Sequence, residues 1–198
     1  MPTAPSLAEQ LSRAGIAYGR RHDISYRTGL VLQVLGTGLL AVLYPLESPF
    51  YTAGIMLFDL GVLLSAVYLL VWMTWIRKII LAAALSGIPL QIIGMQVVPP
   101  QYAASVVLIG VGLMCVAGAG IVGKEAYCFA YREGWWLMWL YPVVILTNLL
   151  AGEHRVFNAL AFSAAFLLLL SLAGKKLKQP LLSSCTMNVC GTPEKKAD

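Results

Sequence analysis

Three sets of residues in this chain carry groups able to do chemistry, and each suggests a different kind. The first centres on Asp59, the only acidic residue inside an apolar run. A carboxylate in lipid is costly, so it must face other helices, find a partner or hold a proton. At 1.5 Å rise per residue it lies about 4.5 Å to the outer side of a span centred near Val62. Gln91 falls at a similar depth in the next run, with Asn148 and Thr147 of a later run somewhat further out. The expectation is an intramembrane polar cluster of Asp59, Gln91 and Asn148, with Thr147 beside it. Its chemistry would be proton or cation binding, and its plainer use is hydrogen bonding that holds helices together.

The second set is residues 123–136, GKEAYCFAYREGWW, where charge, a thiol and aromatic rings meet between apolar runs. Lys124 and Cys128 are four apart and share a helical face, and a nearby ammonium favours the thiolate that redox chemistry needs. Glu125 and Arg132 are spaced to pair across two turns. A helix continuing through this stretch would present Lys124, Glu125, Tyr127, Cys128, Phe129 and Arg132 at a membrane face as a surface for docking a partner. An interfacial loop with satisfied charges is the bland alternative. The third set, Cys185 and Cys190, has a C-x4-C spacing that matches no zinc pattern, so incidental thiols are expected. Neither His22 nor His154 falls inside a run, which excludes haem held between intramembrane histidines. No P-loop, H-E-x-x-H or serine-nucleophile elbow is present. Neither a cofactor nor a metal is expected, and enzymatic activity is not indicated.

The elements that must position these groups are membrane spans. Of 198 residues, 59% are hydrophobic and only 12% charged, with a mean hydropathy of +0.78. Soluble domains hold about 45–50% apolar residues. Six apolar runs cover residues 28–44, 50–75, 79–98, 103–122, 135–150 and 156–173, each near the ~20 residues that cross a bilayer. The fold class is therefore all-α, a polytopic bundle of six transmembrane helices. Short connections make sequential helices antiparallel neighbours.

Orientation follows from the positive-inside rule. With six spans, 13 of the 14 Lys and Arg residues fall on the face shared by both termini, and only Arg155 falls opposite. Both termini are thus expected in the cytoplasm, and the basic residues find a topological use without nucleic acid. Trp72, Trp75, Trp135, Trp136 and Trp139 fall near the same face, where amphipathic rings anchor spans. Residues 1–24 read as an amphipathic cytoplasmic segment with Ser6 and Glu9 at capping-box spacing. They carry no basic n-region before an apolar core, so a cleaved signal peptide is not expected. Residues 25–174 form the bundle, and 175–198 a basic, disordered tail.

Pro89 and Pro142 lie mid-span, where proline removes a donor and bends a helix; such breaks point weakly to transport sites. In the fourth run, Cys115, Ala119 and Gly123 have small-xxx-small spacing for close packing. No internal repeat is read from the sequence.

At residues 124–129, KEAYCF, the chain resembles an integral membrane protein family, domain of unknown function 2301, which occurs in cyanobacteria and some proteobacteria. That family carries a similar KEAFCF run after its fourth span, with Tyr127 here replacing Phe. It also carries a YRxGL run entering its first span, matched by Tyr26, Arg27, Gly29 and Leu30. The tail after Pro180 has no recognised counterpart. The resemblance implies a multi-pass protein of a bacterial inner membrane or thylakoid, and it implies no activity. The leading expectation is a non-enzymatic accessory or scaffold protein, in contact with the bilayer and a membrane protein complex, docking through the Lys124–Glu133 region. A proton-coupled transporter using Asp59 is the alternative, and thiol redox through Cys128 the third.

Overall fold

The structure, a computed structural model, describes residues 20–69 and 74–179. The segment before Arg20, Trp72 and the tail with Cys185 and Cys190 lie outside the described residues. Among the described residues there are six helices and no strand: α1 (Arg20–Leu43), α2 (Tyr51–Val67), α3 (Thr74–Gln96), α4 (Pro100–Phe129), α5 (Arg132–Ala151) and α6 (Arg155–Lys178). Five are long and apolar enough to cross a membrane, and α2, at 17 residues, is a shorter apolar helix.

The second run departs from its expected bounds. Hydropathy continues unbroken to Trp75, but the helix stops at Val67, and Thr74 already belongs to α3. Arg77, expected to close the second span, instead sits in the first turns of α3 and donates to the Val67 carbonyl at 3.4 Å. A guanidinium satisfying an orphan carbonyl at a helix end is a tertiary cap, and no Gly or Pro marks it in the sequence. Elsewhere the ends follow local chemistry. Pro100 opens α4 at a position that needs no amide donor. Glu47 at φ 52° turns the chain between α1 and α2, and Ala130 at φ 53° ends α4.

Each helix packs on its sequence neighbours, α6 closes back on α1, and α2 also reaches α4 across the middle. The core holds Val62, Ala66, Met114, Ile121, Leu137 and Leu169, all buried. Leu35, Met56, Leu85, Val116, Leu146 and Leu167 are exposed on the outside. A bundle with apolar side chains on both its inside and its outside is built for lipid rather than water.

The first four helices form two hairpins with one packing scheme, which corrects the reading that no repeat exists. In α1, Gly29, Gln33 and Gly36 read G-x3-Q-x2-G; in α3, Gly87, Gln91 and Gly94 repeat it. Their partners are Gly54 and Gly61 in α2, and Ala103 and Gly110 in α4. A Cβ on Gly61 would lie 2.7 Å from the Gly29 carbonyl oxygen and 2.6 Å from the Gln33 nitrogen. One on Gly110 would lie 2.8 Å from the Gly87 oxygen and 2.9 Å from the Gln91 nitrogen. Small residues thus let the backbones touch in both hairpins, the usual route to close packing in lipid.

Candidate functional site

Antiparallel neighbours place the start of α1, the end of α2, the start of α3, the α4–α5 turn and the end of α6 at one end of the bundle. Both ends of the described chain meet there: an Arg27 Nη1 donates to the Gln179 carbonyl at 2.8 Å. Every Lys and Arg of the described residues except Arg155 lies on helical turns at this basic end. Arg155 sits at the opposite end, bonded to Glu47 and the Pro45 carbonyl.

The organising stretch is helical as far as Phe129, and it turns inward. Glu125 is completely buried. Its Oε1 accepts from the Tyr26 hydroxyl at 2.7 Å and from Lys124 Nζ at 2.9 Å. Its Oε2 lies 3.0 Å from Lys176 Nζ. One carboxylate therefore joins α4 to α1 and α6, with two ammonium groups around it. The aromatic residues of the motif complete the enclosure: Lys176 Nζ lies 4.0 Å from the Phe129 ring centroid, and Lys124 Nζ lies 5.0 Å from that of Tyr26. Such cation–π contacts strengthen as water is excluded.

Flanking contacts fix the same end. Asp23 pairs with Arg27 at 2.9 Å. Glu133 pairs with Lys175 and accepts from the Ser171 hydroxyl at 2.9 Å. Gln179 donates to the Tyr131 hydroxyl at 2.8 Å. Burial first, and then the Glu125 charge, push the Tyr131 hydroxyl above its ordinary pKa, against the bond from Gln179, which favours the phenolate.

The docking candidates therefore divide. Glu125 is not on any surface, and it pairs with Lys124 and Lys176 rather than with Arg132. Lys124, Cys128 and Phe129 are half-buried, while Tyr127 and Arg132 are exposed. The sequence pointed to this stretch but not to Tyr26 and Lys176, its partners from α1 and α6. Tyr26 lay in a run already singled out, and only the fold brings it to Glu125.

The expected intramembrane cluster divides as well. Gln91 Nε2 donates to Asp59 Oδ2 at 2.7 Å, joining α3 to α2, with both residues buried. Asn148 lies elsewhere: it exchanges two hydrogen bonds with Asn158, at 2.7 and 2.9 Å. Asn158 in turn donates to the Tyr44 hydroxyl at 3.0 Å, which bonds Glu153. These groups tie α5 and α6 to the α1–α2 turn at the end opposite the basic one. The sequence does not show which side of each helix faces inward, and α2, running Tyr51–Val67, has Asp59 at its middle rather than to the outer side of a span centred near Val62. Among the described residues no group of His, Cys, Asp and Glu is arranged to hold a metal ion.

An all-helical chain with apolar faces inside and out, and its charges gathered at the helix ends, is a polytopic integral membrane protein. It belongs to the uncharacterized integral membrane protein family DUF2301, whose model matches residues 55–185. The KEAYCF run lies within the match. The YRxGL run precedes it, and the match continues past Pro180 to Cys185. No curated protein and no solved structure matches the chain.

Proposed function

We propose that this protein is a non-enzymatic accessory or scaffold component of a membrane complex, and that it docks its partner at the basic end through Tyr127 and Arg132. The observation that carries this reading is the contrast within one short stretch. Glu125 is buried, and Lys124 and Phe129 are half-buried, at the end of α4. Tyr127, 70% exposed, and Arg132 project on either side of the left-handed turn at Ala130. Exposed aromatic and arginine side chains on a rigid support are the residue types that dominate binding interfaces. Trp136, also 70% exposed, extends the same rim. The basic end faces the cytoplasm of a bacterial inner or thylakoid membrane in this reading, because Lys and Arg are retained on that side.

The test is native purification in mild detergent with mass spectrometry, comparing wild type with Tyr127→Ala and Arg132→Ala. A stoichiometric partner lost in either variant, while helicity and melting stay unchanged, supports docking here. A partner retained in both variants, or a wild-type protein that purifies alone, overturns it.

A further inference from the structure

The two hairpins depart from each other at one polar position, and that departure isolates a carboxyl group. In the first, Gln33 Nε2 stays within its own hairpin and donates to Ser65 Oγ at 3.0 Å. In the second, the residue facing Gly87 in the place of Ser65 is Met114, whose thioether is a weak acceptor. Gln91 instead reaches across the seam to Asp59 on α2 of the other hairpin. Asp59 is 5% exposed, and its second oxygen, Oδ1, has no hydrogen-bond partner. It forms no salt bridge with any Lys or Arg of the described residues. Of the groups placed against it, Gln91 on α3 and the Cys115 thiol on α4, neither carries a positive charge. Tyr141 is also buried, with an unpartnered hydroxyl, and packs edge-on against Phe58 at 6.0 Å. A cavity of about 50 Å³ lies beside Phe58, lined by Thr37, Cys115, Tyr141 and Phe162 among others.

We propose that Asp59 is a proton-binding site at the seam between the two hairpins, occupied in the resting protein and exchanging with solvent. An ionised carboxylate here would have one amide donor and no cation, inside a low-dielectric bundle, and such a charge is not tolerated without partners. Protonation removes the charge at a smaller cost: Gln91 bonds Oδ2, and a proton on Oδ1 leaves a neutral hydroxyl where an ionised oxygen would stand. Releasing that proton leaves a bare charge at the point where the hairpins meet. Proton occupancy is thereby coupled to how tightly α2 and α3 close. This inference is independent of the docking surface, which lies at the basic end.

Infrared spectroscopy of the full chain carrying ¹³C-carboxyl aspartate, reconstituted in lipid, tests the proposal. At neutral pH wild type is expected to show a protonated-carboxyl band. Asp59→Asn should lack it, and D₂O buffer should shift it. Gln91→Leu, which keeps the acid and removes its donor, should move the band to higher frequency and provides the assignment if Asp59→Asn does not fold. A wild-type spectrum without a protonated band shows an ionised Asp59 and overturns the proposal. A band that never shifts in D₂O shows a sealed structural acid and overturns it equally.

Discussion

Replacing Glu125 with Gln tests whether the buried charge of the KEAYCF run is a structural lock. The carboxylate is fully buried, and Lys176, its partner on α6, is 6% exposed, whereas Lys124 is half-buried. Gln retains the shape and an acceptor for the Tyr26 hydroxyl but removes the charge between two ammonium groups. Breaking a buried pair by deleting one partner costs about 3–5 kcal/mol. Lys124 can turn towards water at the helix end, so the uncompensated cost falls mainly on Lys176, and about 3 kcal/mol is expected. Adding Lys176→Met removes the stranded charge and should return stability to within about 1 kcal/mol of wild type, since apolar replacement of a buried pair is often neutral. The Lys176→Met single variant closes the cycle, and because it leaves buried Glu125 with Lys124 as its one remaining cation, the coupling should be at least about 2 kcal/mol. Equilibrium unfolding in mixed micelles with rising dodecyl sulfate fraction, followed by circular dichroism, measures all three variants. A Glu125→Gln protein within about 0.5 kcal/mol of wild type, or a double variant as unstable as the single one, would refute the lock.

Two further perturbations probe the rest of the bundle. Gly61→Ala puts a Cβ 2.7 Å from the Gly29 carbonyl, so α1 and α2 must separate and a loss of about 1–3 kcal/mol is expected. Gly174→Ala, whose Cβ meets nothing within 4 Å, should gain about 0.5–1 kcal/mol from helix propensity alone. The same unfolding assay ranks the two, and equal effects would contradict the close-packed hairpin. Asn158→Leu removes the bonds to Asn148 and Tyr44 and should cost about 0.6–2 kcal/mol, the range for polar contacts between membrane helices. On an Asn148→Leu background the loss should shrink to that of the Tyr44 bond alone, and an undiminished loss would show that the pair is not the unit.

Much of this architecture was legible because lipid makes hydropathy and charge nearly sufficient. The runs ending at Tyr44, Val98 and Leu150 each fall within two residues of an observed helix end, since a bilayer-spanning length leaves little freedom. What hydropathy cannot register is a helix end inside an apolar run, such as that of α2 at Val67, whose carbonyl accepts from Arg77. It also says nothing about which side of a helix faces inward. Asp59 and Gln91 met because close glycine packing fixes the rotation of α3 and α4, and Asn148 did not join them because α5 turns that residue towards α6. The repeat was written in the residues GLVLQVLG and GIPLQIIG, but the turns within the two hairpins differ in length, so no single period aligns both helices. Its trace is chemical: the same glutamine in both copies, with Ser65 available to the first and Met114 to the second. Where the copies agree, the glycine contacts account for packing. Where they differ, Gln91 is turned outward to Asp59, and a polar group meets an acid that no other residue compensates.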